Sequence, residues 1–133
     1  MKLITALDLH RWADKKESEV LMPELVRRLI HSSLDGIIRL TMPSGDSVNL
    51  SGFDGELETT GCNAFVSSGK SVFEIGTDRK VKGKADKDIE KRNKEIADTE
   101  KQKLNYVFVT SRKWANARKW EKEHRENSYP KGI

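Results

Sequence analysis

The 133-residue sequence holds one cysteine, three prolines and three histidines, and it has no apolar run long enough to cross a membrane. Cys62 alone excludes an internal disulfide. With His10, His31 and His124 scattered and no HxxxH spacing, a zinc array or a histidine-dependent site is excluded as well. No serine, cysteine and histidine fall into a recognisable nucleophilic arrangement. The glycines at 45, 52, 55, 61, 69 and 76 form no phosphate loop of the GxxxxGK(S/T) type. The opening "MKLITALDLH" breaks its apolar run at Asp8, too early for a signal peptide. The expectation is a protein without a membrane segment, in a reducing, cytoplasmic setting.

What is there is charge. Charged and apolar residues each make up 35% of the chain, and the mean hydropathy is −0.71. The apolar residues are clustered, which favours a folded chain over a disordered one. The length suits a single domain over 1–133, with a core over about 12–124 and a flexible tail from 127 to 133. The net charge of +4 is unevenly spread. Residues 1–33 carry six basic and five acidic side chains, 34–77 carry two and six, and 78–133 carry seventeen and ten. An acidic middle followed by a basic half suits a metal site beside a surface for a polyanion.

Periodicity predicts a helix over 8–33, with Leu21, Leu25 and Leu29 at i+4 and Met22, Val26 and Ile30 beside them. Pro23 either opens that helix or kinks it, and Gly36 ends it. Two strands follow, "IIRLTM" and "SVNLSGF" continuing through "DGELET", joined by a turn at "PSGD" (43–46). "SVFEI" reads as a third strand. Residues 78–102 favour a helix with a thin stripe of Ala85, Ile89, Ile96 and Ala97, and "LNYVFVTS" reads as a buried, central strand. A last helix over "RKWANARKWEKEHREN" is anchored by Trp114 and Trp120.

This order sets Asp54, in "GFDGE", and Glu74, in "SVFEI", on adjacent strands. Two neighbouring carboxylates suit a hard divalent ion such as Mg²⁺, which takes one or two carboxylates and completes its shell with water and phosphate oxygens. The alternatives are an aspartate that only bonds its own turn and a glutamate at an exposed strand end.

The residues carry a resemblance. The element order, "GFDG" and "VFEIG" resemble the PD-(D/E)XK, restriction-endonuclease-like nucleases, and the GxDG turn resembles their Mrr-like branch. "LMPELVRRLI", "SGDSVNLSGFDGELE", "GKSVFEIGT", "KADKDIEKR" and "YVFVTSRKW" are similar to an N-terminal domain of large bacterial antiphage-defence proteins. In those a nuclease is joined to a sensor or NTPase region. The similarity covers most of residues 12–120. It implies a restriction-endonuclease-like α/β fold, αβββαβ with a mixed sheet flanked by helices, here with an extra C-terminal helix.

It also implies that Asp54 and Glu74 bind the metal, Mg²⁺ with Mn²⁺ as a substitute. The family's lysine two residues after the second acid is absent: Gly76 stands there. In the superfamily that lysine can migrate, and Lys84 is the first candidate, with Asp88 at i+4 and Lys91 at i+7 expected on its face. Lys80 and Lys70 are weaker candidates on flanking loops. For Lys84 the alternative is a solvated helix position.

Accessory acids are Glu56, on the strand face of Asp54, and Glu19 or Glu24 from the first helix; surface or salt-bridge roles are the alternatives. Arg112, Lys113, Arg118 and Lys119 are candidate phosphate contacts, while Trp114 and Trp120 read as packing residues. The resulting expectation is a Mg²⁺-dependent endonuclease module acting on double-stranded DNA. It would serve as the effector domain of an antiviral defence protein and form homo-oligomers, through other domains if the chain is a fragment. A domain of the same fold that binds nucleic acid or oligomerises without cutting is the alternative.

Overall fold

The computed structural model describes residues 4–43, 53–101 and 103–127. Helix α1 (Ala6–Trp12) starts at a capping box in which Thr5 and Asp8 satisfy each other's backbone N–H groups. A turn over 13–16 separates it from α2 (Glu17–Ser33), so the helix expected over 8–33 is two helices, with Pro23 inside the second. The buried stripe of α2 is Ser18, Met22, Val26 and Ile30 at strict i+4 spacing. Leu21 and Leu29, expected on the buried face, are about half exposed. Gly36 follows at φ +75°, where an added Cβ would collide with the Thr60 hydroxyl.

Four strands form one mixed sheet in the order β1-β2-β3-β4: β1 (Ile37–Thr41), β2 (Gly55–Thr59), β3 (Gly69–Gly76) and β4 (Leu104–Thr110). The first two pairings are antiparallel. The β3–β4 pairing is parallel, so the connection must cross the sheet, which it does through α3 (Val81–Glu95) and the short α4 (Asp98–Lys101). Helix α5 (Ala117–Asn127) ends the described chain. This is a mixed α/β architecture with helices on both faces of the sheet.

Alternation along β3 sorts the layers. Phe73 and Ile75 join Met22, Val26, Ile30, Leu57 and Val107 on the α2 side. Val72 joins Ala85, Ile89, Tyr106 and Trp120 on the α3–α5 side. Glu74 and Gly76 therefore look toward α3.

Several expected boundaries move. The second strand begins at Gly55, so Asp54 sits one residue before it. The "PSGD" turn and the strand over 47–53 fall, apart from Pro43 and Phe53, outside the described residues, as does the tail from 128. Among the described strands β4 is at the sheet edge, not central; helices over both faces bury Tyr106 and Val107 all the same. The helix expected over 78–102 stops at Glu95, because Ile96 turns extended (φ −111°, ψ 132°). Ile96 and Ala97 consequently do not lengthen the apolar stripe. The last helix starts at Ala117, leaving Trp114 ahead of it.

Candidate functional site

Extending the β2–β3 register by one step sets Asp54 opposite Glu74. The Asp54 N–H donates to the Phe73 carbonyl at 2.9 Å, and its carboxylate Oδ2 accepts the Ile75 N–H at 2.8 Å. The side chain thus continues the ladder that its backbone would otherwise make. Asp54 bonds across to β3, which is not the behaviour of a residue that only closes its own turn.

Glu74 is 2% exposed, so it is no exposed strand end. Its Oε1 accepts the Arg92 Nε–H at 2.6 Å. Burial pushes the Glu74 carboxyl up to about 8, and the neighbouring Asp54 carboxylate adds to the rise against the pull of Arg92. Since this value lies above the ordinary 4.5, the folded protein holds the proton more tightly than the unfolded chain does. Its contribution to stability is complete below about pH 4.5 and is lost as the pH rises to about 8. Metal-free protein should therefore lose stability across that range, by at most about 1.4 kcal/mol per pH unit from this group. Glu74→Gln should flatten the slope, which urea midpoints for the two proteins at several pH values will measure.

Helix α3 buries Val81, Ala85, Asp88, Ile89 and Arg92, so its inward face carries two charges at i+4. Lys84 bonds Asp88 through Nζ–Oδ1 at 3.0 Å. Its stem lies over Gly76: a Cβ added there would come within 3.0 Å of Lys84 Cγ and 3.4 Å of Cε. Burial works against the ammonium charge, but the Asp88 bond and the charges of Asp88, Asp78 and Asp54 outweigh it and raise its pKa. Asp88 Oδ2 is buried without a hydrogen-bond partner.

Arg92, which the sequence did not single out, completes the cluster. It pairs with Glu95 at 2.8 Å and its guanidinium lies 5.3 Å from the centre of the Phe53 ring. It therefore touches Glu74 and the residue preceding Asp54. The available signal was a basic residue at i+4 from Asp88, on the stripe of Ala85 and Ile89.

The remaining candidates fall elsewhere. Lys91 is exposed, so the buried continuation of the Lys84–Asp88 face is Arg92 instead. Lys70 lies in β3, exposed and opposite Glu58, and not on a loop. Glu56 lines a groove with Glu58 and Lys70, beside the site on the same sheet face. Glu24 is gripped by Arg27 and Arg28, whose hydrogen bonds pull its carboxyl down to about 2. Glu19 and Lys80 are exposed and line a separate groove. Among the described residues no group of three or more acids, histidines or cysteines is placed to hold a metal ion, so α2 supplies no third carboxylate.

Of the expected phosphate contacts, Lys113, Arg118 and Lys119 are exposed. The Arg112 side chain is only 6% exposed, and its guanidinium is committed to Thr77, Ala13 and Asp14. That occupancy removes it from the set. Trp114 and Trp120 pack together at 5.4 Å between ring centres; Trp120 is buried and bonds Asp86.

The donor chemistry fits one hard cation. Asp54 and Glu74 offer oxygen only, in the number that Mg²⁺ accepts from protein. Comparison of the chain with known protein families, with characterised proteins and with solved structures finds no match.

Proposed function

We propose that the chain is a metal-dependent endonuclease domain of the restriction-endonuclease-like, PD-(D/E)XK kind, cutting phosphodiester bonds of double-stranded DNA. The observation that carries this reading is the Lys84 stem lying over Gly76. The side chain occupies the space that a residue at the family's lysine position would enter, close enough to Asp54 for that charge to act on its ammonium. Asp54 and Glu74 would hold Mg²⁺, or Mn²⁺ in its place, and the bound ion supplies positive charge where negative charge grows on the phosphate.

The chain's own groups do the rest. Asp54 is fixed by the Ile75 N–H, so its carboxylate points at a constant place relative to Glu74. Arg92 holds one Glu74 oxygen and thereby sets the direction of the other. Asp88 keeps Lys84 protonated and steady, and the ammonium offsets the charge of the five-coordinate phosphorus while water attacks in line and the P–O bond to the leaving oxygen breaks. Service as a defence effector and assembly into homo-oligomers belong to this proposal through the resemblance. Among the described residues no helix is long and apolar enough to cross a membrane.

One observation favours a second reading, a domain of the same fold that binds nucleic acid or oligomerises without cutting: Arg92 already partners Glu74 inside the protein. Supercoiled plasmid incubated with Mg²⁺ or Mn²⁺ separates the two. The expected result is nicking by the wild type and none above background by Asp54→Ala or Glu74→Ala. Equal nicking by these variants and Lys84→Ala discards the site. No nicking by any protein, with duplex binding retained, establishes the second reading.

A further inference from the structure

Arg112 works as a clamp between two turns. Its Nε–H donates to the Thr77 carbonyl at 2.8 Å, and its terminal nitrogens donate to Asp14 at 2.7 Å and to the Ala13 carbonyl at 3.1 Å. The turn joining α1 to α2 is thereby held against the turn joining β3 to α3. Between them runs an open groove of about 700 Å³ that carries Lys15, Lys16 and Glu19 on one side and Asp78, Arg79 and Lys80 on the other.

The charge balance of this groove is basic. Asp14 is bound by Arg112 and lies 3.5 Å from Arg79, so its carboxylate is answered locally. Lys15, Lys16 and Lys80 are exposed, and among the described residues none of them makes an ion pair. Five basic side chains, Lys15, Lys16, Arg79, Lys80 and Arg112, outnumber Asp14, Glu19 and Asp78 around the concavity. Its three ammonium groups suit a run of phosphates, each a point charge needing no base-specific geometry.

The groove also adjoins the site. Thr77, whose carbonyl Arg112 holds, follows Gly76 directly, and Lys84 lies over Gly76. Asp78 in the groove wall is close enough for its charge to act on Lys84.

We propose that the groove between the α1–α2 and β3–α3 turns is the surface that holds the DNA backbone, with Lys15, Lys16 and Lys80 contacting phosphates and Arg112 keeping the two turns in place. This rests on the nuclease reading and moves the main polymer contact away from the start of α5. The strand lies along the groove and delivers its next phosphate to Lys84. Because the contacts are to phosphates, affinity carries a salt dependence and little sequence preference.

The test is fluorescence anisotropy of a short labelled DNA duplex with the full chain in EDTA, titrated at several salt concentrations. The triple variant Lys15→Ala/Lys16→Ala/Lys80→Ala should bind at least about tenfold more weakly. Its log–log salt slope should be shallower by about 2–3, near 0.9 for each lost contact. Arg118→Ala/Lys119→Ala should change that slope by less than about 1. All three lysines are exposed, so melting by circular dichroism should match the wild type.

An unchanged slope in the triple variant overturns the groove, as does a larger loss in the α5 variant. A wild type that binds duplex RNA and not duplex DNA, or neither, overturns it too. The catalytic reading fails separately: loss of Mn²⁺ binding in Asp54→Asn, read by calorimetry, is independent of the salt slope. Failure there with the slope change intact sinks the chemistry and keeps the groove.

Discussion

Lys84→Ala should slow metal-dependent nicking by about 10²- to 10³-fold, the cost of removing one charge-stabilising donor from a phosphoryl or acyl transfer site. The same change should leave Mn²⁺ binding at Asp54 and Glu74 in place. Gly76→Lys on the Lys84→Ala background should then recover part of the activity. The geometry explains why the two changes must be made together. In the wild type a Cβ at residue 76 meets Lys84 Cγ at 3.0 Å and Cε at 3.4 Å, which the stem must yield to accommodate. Truncating Lys84 removes both atoms, and Phe108 Cζ, at 3.3 Å, remains as a close neighbour at the edge of a ring.

Residues 74 and 76 share a strand face by period two, so a lysine installed at 76 projects to the side of Glu74. Gly76 has no positive φ, and a side chain there meets no backbone strain. Gly76→Lys alone should be less active than the double variant, since the two stems compete for one space. Initial nicking rates for the four proteins give the answer. A double variant no better than Lys84→Ala would show that Lys84 acts as an ordinary helix residue and not as a displaced catalytic lysine.

Arg92→Met should cost stability in a way that depends on pH. At a pH above about 8 Glu74 is ionised in the wild type. Removing the guanidinium forces a carboxyl that is 2% exposed either to stay charged without its partner or to take up a proton again. Breaking a buried pair from one side costs about 3–5 kcal/mol. Below about pH 4.5 Glu74 is protonated in both states, and what remains is the lost contact with Glu95 and the Phe53 ring, about 1 kcal/mol.

The sign follows from the direction of the Glu74 shift. Arg92 opposes the rise caused by burial and Asp54, so its removal lets the Glu74 pKa climb further and widens the range over which stability falls. Replacing both residues, Arg92→Met with Glu74→Met, should recover most of the loss at high pH, because a well-packed apolar pair needs no compensation. Urea denaturation of the four proteins at low and high pH forms the cycle. A cost that is equal at both ends of the pH range would mean that Arg92 contributes by packing and does not set the charge of Glu74.

Local patterns account for the parts of this molecule that were legible beforehand. The run from the third strand through the polar helix to "LNYVFVTS" has the lengths and β-branched content of a strand–helix–strand unit, and the sheet follows it. The short interval between Asp54 and Glu74 made adjacency of their strands a chain-local matter, and the register places them opposite each other. Position within the sheet was not local. The apolar character of β4 says that its faces are covered, and coverage by helices produces the same composition at an edge as in the middle.

Arg92 and Arg112 show where periodicity stops. Arg92 reads as one more basic residue of a polar helix and Arg112 as a phosphate contact, yet Arg92 meets Glu74 from 18 residues away and Arg112 meets Asp14 from 98. Burying a guanidinium is tolerable only when carboxylates or carbonyls happen to surround it, and those partners are assembled by packing. The sequence by itself determined the order of the main helices and strands and that two acids would come near each other across neighbouring strands, because strand and helix periods and short connections act over few residues. Only the tertiary structure decided that α3 lays Lys84 over Gly76, that Arg92 restrains Glu74, and that Arg112 locks two basic turns into one groove. Each of these depends on the distance between side chains that only the docking of helices on the sheet brings together.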